Sequence, residues 1–471
     1  MHDSGGRRVP QVMKTGDPLL VAWEATLGRR HDEPAIFDTQ RRVLFRFGEI
    51  EERSRRSEVL QDFTAGEVVA IQIGNHANWP ALFLACQRRG IVVLPLEPTM
   101  SEQERDAALR ICRATGLIAA PEMPVVRFDN GGAIDWEGRC PVLLKLTSGT
   151  TAAPRAVRFR SAQLLADAEQ VCDTMGISDA DLNFAVIPLS HSYGLSNLIT
   201  PLLVRGVPMA ISNDRMPRAV LDDLARTEST VFPGMPLLFQ AFGELMPVPR
   251  LPKLRLCISA GAPLALGVAR SFQEKFGQPI HSFYGASECG GISYDRAATG
   301  ELEGSVGSAL RGVELQPLAP GAGATQVRVR SAAVGDGYFP EPEPEKLGDG
   351  FFLPDDLVTM SEAGVRIVGR LSDVINVAGK KVNPSEVEAH LLSFEGVRQA
   401  AVFGRASSLR HQEVVACVVA GEETDEATLL EFCRARLSGW QVPKRIFLLE
   451  ALPTSERGKI NRRELAARFA A

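Results

Sequence analysis

The sequence predicts an α/β protein, with a large N-terminal domain of mostly parallel βαβ sheets plus a small β-barrel-like part, followed by a small mobile α+β C-terminal lid. From about residue 66, short β-branched runs alternate with amphipathic stretches of helical length, which is the pattern of βαβ units. After about residue 300, a Pro/Gly-rich stretch, Gly335–Gly350, interrupts the strands. A compact strand-and-helix unit follows Leu371. These changes predict two domains, residues 1–370 and 371–471.

The first predicted elements follow one another closely. Val68–Ile73 is typical of a buried strand, Trp79–Arg89 of a helix and Ile91–Leu96 of a second strand. Ser101 with Glu104 forms a capping box that predicts the start of a helix running through Arg113. Later strands are predicted at Val142–Leu146, Phe184–Ile187, Val207–Ile211, Leu254–Ser259 and Pro279–Ser282.

The C-terminal part has its own signals. Gln326–Arg330 and Gly364–Gly369 are typical of strands, and Asn383, Pro384 and Glu386 predict the start of a helix to about Leu392. Further strands are predicted at Val397–Phe403, Val414–Val419 and Ile446–Leu449, and further helices at Glu426–Leu437 and Arg462–Phe469.

Composition excludes several classes of protein. Apolar residues make up 45% and charged residues 23% of the 471 residues, which is typical of a globular protein. A formal charge of -5 does not favour nucleic-acid binding, and apolar runs such as Ile91–Leu96 are too short to span a membrane. No two of the eight cysteines have CxxC spacing, and Met1–Asp17 has no apolar core typical of a secretory signal. We therefore expect a cytoplasmic protein.

The strongest chemical motif is the segment Thr147–Arg155. It follows a predicted strand, groups four hydroxyl side chains around Gly149 and ends in a cation. Such a loop can offer N–H and O–H donors to a polyphosphate, although a polar surface turn would have the same composition. A Walker loop is excluded, because GxxxxGK[ST] is absent.

Six further motifs follow in order. They are Pro188–Gly194, Ser259–Leu264, Phe283–Glu288, Asp355–Leu357, the segment from Gly369–Asn376 to Glu386 and Glu388, and Pro453–Ile460. Together with Thr147–Arg155, they resemble the motifs of the adenylate-forming superfamily, which includes acyl- and aryl-CoA synthetases, nonribosomal-peptide adenylation domains and luciferases. The chain is most similar to a stand-alone acyl- or aryl-CoA synthetase.

The resemblance implies a catalytic role for three residues. Lys459 would bridge the carboxylate and α-phosphate oxygens, and Glu288 with Thr150 or Thr151 would hold Mg²⁺ through oxygen ligands. His191 would border the acyl pocket and orient the carboxylate. A solvated lysine and a neutral imidazole packed between helices are the structural alternatives for Lys459 and His191.

The resemblance also implies an ATP site. Asp356 would accept hydrogen bonds from the ribose, Arg370 would donate to ribose or phosphate, and Tyr284 would stack on adenine; ion pairing and core packing are the alternatives. Lys381 would contact phosphate in one orientation of the lid, or be a solvated surface residue. The full set of predicted nucleotide contacts is Thr147, Ser148, Gly149, Thr150, Thr151, Arg155, Gly261, Ala262, Pro263, Ser282, Phe283, Tyr284, Gly285, Ala286, Ser287, Asp356, Arg370 and Lys381.

The implied reaction has two steps. ATP and a carboxylic acid give acyl-AMP and pyrophosphate, and after the lid rotates a thiol of CoA, or the phosphopantetheine of an acyl carrier protein, attacks the carbonyl. The segment 187–192 has no Asp to bind a substrate ammonium, which argues against an amino acid. Apolar Phe232, Gly234, Met235 and Leu238 suit an aryl or fatty acid, or belong to the core. Both a monomer and a homodimer are compatible with the sequence.

Four positions depart from the family's pattern. The phosphate loop usually ends in Gly-x-Pro-Lys, whereas this chain has Ala152 and Arg155 at the first and last of these positions. Asp355 stands where relatives mostly have Gly and is expected to add negative charge near the ribose. Ser372 occupies the hinge position, where family members generally carry Asp or Lys. The altered loop also motivates a second hypothesis, a non-catalytic adenylate-binding scaffold or sensor.

Overall fold

The structure is a computed structural model that describes residues 16–120, 125–129, 134–147, 155–298, 302, 304–319, 321, 323–407, 411–421, 423–453, 460 and 462–469. The helices within these ranges are α1 (Pro18–Arg30), α2 (Phe47–Arg55), α3 (Trp79–Arg88), α4 (Glu102–Ile111), α5 (Ser161–Met175), α6 (Ser192–Gly194), α7 (Thr200–Arg205), α8 (Pro217–Thr227), α9 (Pro236–Glu244), α10 (Leu266–Phe276), α11 (Pro384–Leu392), α12 (Glu426–Arg436) and α13 (Arg462–Arg468). Short 3-10 turns lie at Glu58–Leu60 and Leu371–Asp373, and a π-helical turn at Leu195–Ile199.

The strands form mixed sheets. In chain order they are β1 (Pro34–Phe37), β2 (Val43–Arg46), β3 (Val68–Ile71), β4 (Val92–Pro95), β5 (Ala114–Ile118), β6 (Val126–Arg127), β7 (Leu143–Thr147), β8 (Arg155–Phe159), β9 (Asn183–Ala185), β10 (Met209–Ile211), β11 (Val231–Gly234), β12 (Leu256–Ser259), β13 (Ile280–Ala286), β14 (Gly290–Tyr294), β15 (Ser308–Ala309), β16 (Val313–Pro317), β17 (Val327–Ser331), β18 (Tyr338–Phe339), β19 (Leu347–Gly348), β20 (Phe351–Phe352), β21 (Asp356–Ser361), β22 (Gly364–Arg370), β23 (Ile375–Val377), β24 (Lys380–Val382), β25 (Val397–Ser407), β26 (His411–Ala420) and β27 (Arg445–Leu448).

Two sheets dominate the N-terminal part of the chain, up to residue 339. The larger has the order β15-β14-β13-β12-β11-β9-β10-β1-β2, and the smaller β18-β8-β7-β4-β3-β5-β6. The central strands of both are parallel, as β11, β12 and β13 illustrate, and the strands at the edges are antiparallel. One apolar cluster, which includes Trp23, Trp79, Phe159 and Tyr338, packs between these layers. The buried β-branched runs therefore predicted the parallel centres, whereas the antiparallel edges were not predicted.

The later strands form smaller sheets. β16-β17-β20-β19 and the ribbon β21-β22 are antiparallel, and they correspond to the change of pattern after residue 300. The C-terminal sheet has the order β24-β23-β26-β25, with β27 parallel to β26, and has its own apolar clusters. The predicted fold class, a mixed α/β chain with a large N-terminal and a small C-terminal domain, is confirmed.

Local signals located the helix starts well. The Ser101–Glu104 capping box precedes α4, and the Asn383 side chain accepts a hydrogen bond from the Ser385 N–H at the start of α11. In contrast, β25 and β26 extend beyond their predicted ranges. The added residues are mostly polar, so the hydrophobic pattern did not mark them as strand. Arg405 and Glu413 face each other in this extension and form an ion pair across the two strands. In the described part of the chain, no helix is long and apolar enough to cross a membrane.

Candidate active site

The phosphate-loop motif lies between two paired strands. Thr147 ends β7 and Arg155 begins β8, and the two residues are registered opposite each other. The Thr147 hydroxyl donates to the Arg155 carbonyl at 3.2 Å, so both ends of the loop are fixed to one sheet edge. Ser148, Gly149, Thr150 and Thr151, which are also predicted phosphate or metal contacts, lie outside the described residues.

The Arg155 side chain is engaged by two neighbours. Its guanidinium carbon lies 3.6 Å from the centroid of the Tyr338 ring, and its Nη1 forms an ion pair with Glu343. Tyr338 is only 1% exposed, and its hydroxyl donates to Glu288 Oε1 at 3.1 Å. Arg155 is thereby connected to Glu288 through an aromatic ring.

Glu288 lies just beyond the end of β13 and is half-buried. Burial raises its pKa above the usual value of a carboxyl group. The Tyr338 hydroxyl and the positive charges of Arg155 and Lys346 oppose this shift without cancelling it. A bound divalent cation would favour the ionised form of this carboxylate.

A buried lysine, Lys145, lies close enough to Glu288 for the two charges to interact. Lys145 in β7 is 4% exposed, and its ammonium lies 4.4 Å from the centroid of the Phe159 ring. Burial lowers its pKa, while the charges of Asp167 and Glu288 oppose that effect. Asp167 accepts a hydrogen bond from the Gly291 N–H at 3.0 Å, which fixes the turn that follows Glu288. Sequence reasoning did not identify Lys145, although a lysine within an apolar strand was a usable signal.

The predicted ribose site contains a three-residue hydrogen-bonded group. Tyr284 donates its hydroxyl to Asp356 Oδ2 at 2.7 Å, and Arg370 Nε donates to Asp356 Oδ1 at 2.8 Å. Asp356 and Arg370 face each other in the register of β21 and β22. Burial and the adjacent Asp356 charge raise the pKa of Tyr284 well above its usual value, so its hydroxyl remains a donor.

The charge of the neighbouring Asp355 is offset. Lys346 Nζ lies 2.9 Å from each carboxylate oxygen of Asp355. The extra negative charge that the sequence predicts beside the ribose is therefore paired with an ammonium.

The remaining predicted nucleotide contacts lie on β13, just after it at Ser287, and on the turn after β12. Gly261 has a φ of +89° and open space where a side chain would begin, which fits a surface that a flat ligand approaches. Gly285 passes close to the partner strand, because an added Cβ would lie 2.8 Å from the Gly290 carbonyl oxygen. The other predicted contacts in these segments are Ala262, Pro263, Ser282, Phe283, Ala286 and Ser287.

His191 occupies the start of α6. Its Nδ1 accepts a hydrogen bond from the Tyr193 N–H at 3.2 Å, so the imidazole caps this short helix. The same segment contacts the Phe283–Glu288 motif, because the Ser192 hydroxyl donates to Ser287 Oγ at 2.9 Å. The structure thus brings the predicted acid-binding and nucleotide-binding segments together.

Comparisons with known proteins agree with this geometry. The AMP-binding enzyme family model matches residues 23–339, and the model of the AMP-binding enzyme C-terminal domain matches residues 386–459. The chain belongs to the AMP-binding enzyme family. The resemblance of the motifs to those of acyl- and aryl-CoA synthetases of the adenylate-forming superfamily is confirmed.

Alignments with individual relatives extend over most of this chain. A feruloyl-CoA synthase from Amycolatopsis sp is 30% identical over 86% of this chain and 89% of its own length. A probable CoA ligase from Humulus lupulus is 28% identical over 86% of this chain and 87% of its own length. The crystal structure of ATP-bound MatB from Rhodopseudomonas palustris has a TM-score of 0.84 and 24% identity, covering 95% of this chain and 98% of that chain, and shows a shared fold.

The four apolar candidates for the acid pocket differ in how deeply they are buried. Phe232 is fully buried and stacks on Phe242 at 5.7 Å between ring centroids, so it belongs to the core of this AMP-binding enzyme. Met235 and Leu238 are half-buried on and beside α9. Gly234 is tightly packed, because a Cβ there would lie 3.0 Å from Phe239.

The C-terminal site residues are only partly described. Lys381 is an exposed residue of β24, and the preceding Lys380 places its ammonium 3.8 Å from the centroid of the Trp440 ring. Lys459 lies outside the described residues. Among the residues that the structure does describe, no cluster of three or more His, Cys, Asp or Glu side chains suits a metal ion.

Tyr338 is the main site residue that sequence reasoning missed. It lies within the Pro/Gly-rich stretch Gly335–Gly350, which was interpreted only as an interruption. Its contact with Glu288 depends on the pairing of β18 with β8, two strands that are far apart in the sequence. A glycine followed by two aromatic residues, Gly337–Phe339, was the available signal.

Proposed function

We propose that this chain is an AMP-forming acid–thiol ligase that activates an aryl or fatty carboxylic acid as its acyl-adenylate and transfers the acyl group to CoA. One observation carries the proposal. The single segment Phe283–Glu288 hydrogen-bonds Asp356 through Tyr284 and presents Glu288 at its other end. One strand and its turn thereby connect two carboxylates: Asp356 of β21, which Tyr284 hydrogen-bonds on the ribose side, and Glu288 on the phosphate side. The CoA ligase relatives support the same chemistry.

The first step joins two anions, so positioning and charge neutralisation dominate catalysis. Asp356 accepts hydrogen bonds from the ribose, while Arg370 donates to ribose or phosphate. The hydroxyls and N–H groups of residues 148–151 donate to the phosphates, and Thr147 fixes the start of that loop through its hydrogen bond to the Arg155 carbonyl. Lys459 neutralises the charge that develops between the carboxylate and the α-phosphate, and His191 orients the incoming carboxylate.

Mg²⁺ fits the donor set on the phosphate side. Glu288 supplies a partly buried carboxylate whose Oε1 is already hydrogen-bonded, and hard oxygen ligands of this kind suit Mg²⁺. Thr150 is the proposed second protein ligand. When bound, the ion would neutralise phosphate charge.

The second step uses the C-terminal domain, which we place at residues 371–471. Rotation about the turn Leu371–Asp373 would exchange Lys459 for the segment around Val377–Lys381 at the active site and admit the thiol. We propose CoA as the acceptor, because the relatives in the comparison are CoA ligases. A cytoplasmic location is consistent with this use of ATP and CoA, and each of the eight cysteines, all within the described ranges, is a free thiol.

Pyrophosphate release tests the proposal. The purified protein is incubated with ATP, Mg²⁺ and a panel of aryl, fatty and amino acids, with and without CoA. We expect acid-dependent release for an aryl or fatty acid and formation of its CoA thioester. A carrier protein that replaces CoA would change only the acceptor, whereas ATP binding without release for any acid would support the scaffold hypothesis instead.

A further inference from the structure

Tyr338 has no role in the proposed reaction, yet it contacts the proposed metal carboxylate directly. Its ring is held in β18, where Tyr338 and Phe339 pair with Val157 and Ala156 of β8. Because the side chain is 1% exposed, its hydroxyl has little access to solvent. Its hydroxyl donates to Glu288 Oε1 at 3.1 Å in this shielded position.

The Arg155 side chain packs on the Tyr338 ring. Its guanidinium carbon lies over the Tyr338 ring, 3.6 Å from the ring centroid, and Glu343 pairs with its Nη1. The Arg155 side chain is 24% exposed, so the stacking is partly shielded from water. A planar guanidinium suits this contact, whereas a lysine ammonium has no face to stack.

The position of Arg155 also connects the phosphate loop to this network. Its main chain begins β8 and accepts the Thr147 hydroxyl, so it closes the loop from the C-terminal side. A shift of the loop would move the Arg155 backbone, and with it the side chain that packs on Tyr338.

We propose that Arg155 and Tyr338 are positioning residues for Glu288. Arg155 fixes the Tyr338 ring, and the Tyr338 hydroxyl donates to Oε1, which restricts the orientation of the carboxylate that would hold Mg²⁺. In this chain the last residue of the phosphate loop acts through Tyr338 rather than by direct contact with phosphate. This role explains why an arginine is suited to a position where relatives carry lysine.

Removing the Tyr338 hydroxyl would remove a hydrogen bond to a residue that binds the metal without removing a metal ligand itself. Such partners restrict the orientation of the ligand, and their loss typically costs about 10–100-fold in metal affinity or activity. Tyr338→Phe removes only the hydroxyl and leaves the buried ring in place. Arg155→Lys retains the charge but removes the stacking.

Calorimetry separates this role from a general effect on folding. ATP is titrated into each protein in the presence of Mg²⁺ and again in EDTA, and thermal unfolding is recorded alongside. For Tyr338→Phe we expect the affinity gained from Mg²⁺ to fall by about 10-fold or more, with unchanged affinity in EDTA. Arg155→Lys should show a smaller loss of the same kind.

Two matched variants provide controls. Tyr294→Phe alters another buried tyrosine, which stacks on His281, and Arg127→Lys alters another stacked arginine, which lies 4.0 Å from the centroid of the Phe63 ring. Both should retain the effect of Mg²⁺ on ATP affinity.

The outcomes distinguish this inference from the proposed function on which it rests. A wild-type protein that releases no pyrophosphate with any acid would overturn the proposed function. An active wild-type enzyme together with an unchanged Mg²⁺ effect in Tyr338→Phe would overturn the inference. If Tyr338→Phe unfolds, an unchanged Mg²⁺ effect in a folded Arg155→Lys variant overturns it equally.

Discussion

Two adjacent aspartates at the start of β21 have different partners. Asp356 accepts hydrogen bonds from Tyr284 and Arg370, whereas Asp355 is bound by Lys346. Only Asp356 belongs to the hydrogen-bonded group that we assign to the ribose. Asp355 therefore provides an internal control for the effect of removing a carboxylate at this position.

We expect Asp356→Ala to raise the KM for ATP by about 10-fold or more, because one lost charge-assisted hydrogen bond is worth about 1.5–3 kcal/mol. Asp355→Ala should change that KM little. Pyrophosphate release measured over a range of ATP concentrations, at saturating acid, gives both values. Equal increases in the two variants would show that local destabilisation, rather than ribose binding, causes the effect.

The sequence identified the residues of the candidate site only where they lie within a continuous motif. Asp356, Arg370, Tyr284 and Glu288 each lie in a recognisable motif, and the structure brings them into one region through Tyr284 and its strand. Tyr338 and Lys145 lie outside such motifs. Their contacts with the Glu288 region arise from sheet pairing and layer packing, which short-range patterns do not specify.

The two ends of the central parallel strands carry different groups. At the amino ends of β9, β11 and β12, Asp181 accepts hydrogen bonds from Thr230 Oγ1 at 2.8 Å and Arg255 Nε at 2.7 Å. Burial alone would raise the pKa of Asp181, but these donors and the Ser178 N–H hold it below its usual value. The predicted ligand contacts are at the opposite, carboxyl ends.

We expect Asp181→Asn to destabilise the fold by about 1–3 kcal/mol at neutral pH, because it weakens a buried charged hydrogen-bond network. A lowered carboxylate pKa contributes stability above the usual pKa of Asp, and that contribution is lost as pH falls through the lowered pKa. The difference between variant and wild type should therefore shrink in acid. Denaturant unfolding across this pH range measures it, and a difference independent of pH would contradict the assignment.

Elements with a strong local pattern were predicted better than elements defined by partners. The buried runs at β3, β4 and β12 were identified within a few residues, and so was the capped start of α11. β8 was not predicted, since Arg155–Phe159 mixes arginines with apolar residues and becomes a strand by pairing with β7.

At the scale of the whole molecule, the C-terminal unit contacts the ribose-side ribbon near residues 368–383. The Asn383 amide donates to the Val368 carbonyl, and the Leu371 N–H donates to the Asp355 carbonyl at 2.7 Å. A Cβ at Gly369 would lie 2.3 Å from Asn383 Oδ1, so any larger residue there would displace the Asn383 side chain. These local contacts surround the turn about which we propose that the lid rotates.

Ser372→Pro should separate the two steps of the reaction. Proline is tolerated in the first turn of a helix, but it fixes its own φ and restricts Leu371, so it should hinder rotation. We expect acid-dependent pyrophosphate release to persist, while CoA thioester formation falls by at least about 10-fold. Ser372→Ala should retain both activities. Parallel assays of pyrophosphate and thioester test this, and an equal loss of both in Ser372→Pro would argue against a hinge.

The most direct test of adenylation is acid-dependent exchange of labelled pyrophosphate into ATP. We predict that the wild-type protein exchanges label only when a suitable carboxylic acid is present, without any need for CoA. Lys459→Ala should lose the exchange while retaining calorimetric ATP affinity, because the lysine acts mainly in the transition state. No exchange by the wild-type protein with any acid of the panel, or full exchange by Lys459→Ala, would contradict the proposed chemistry.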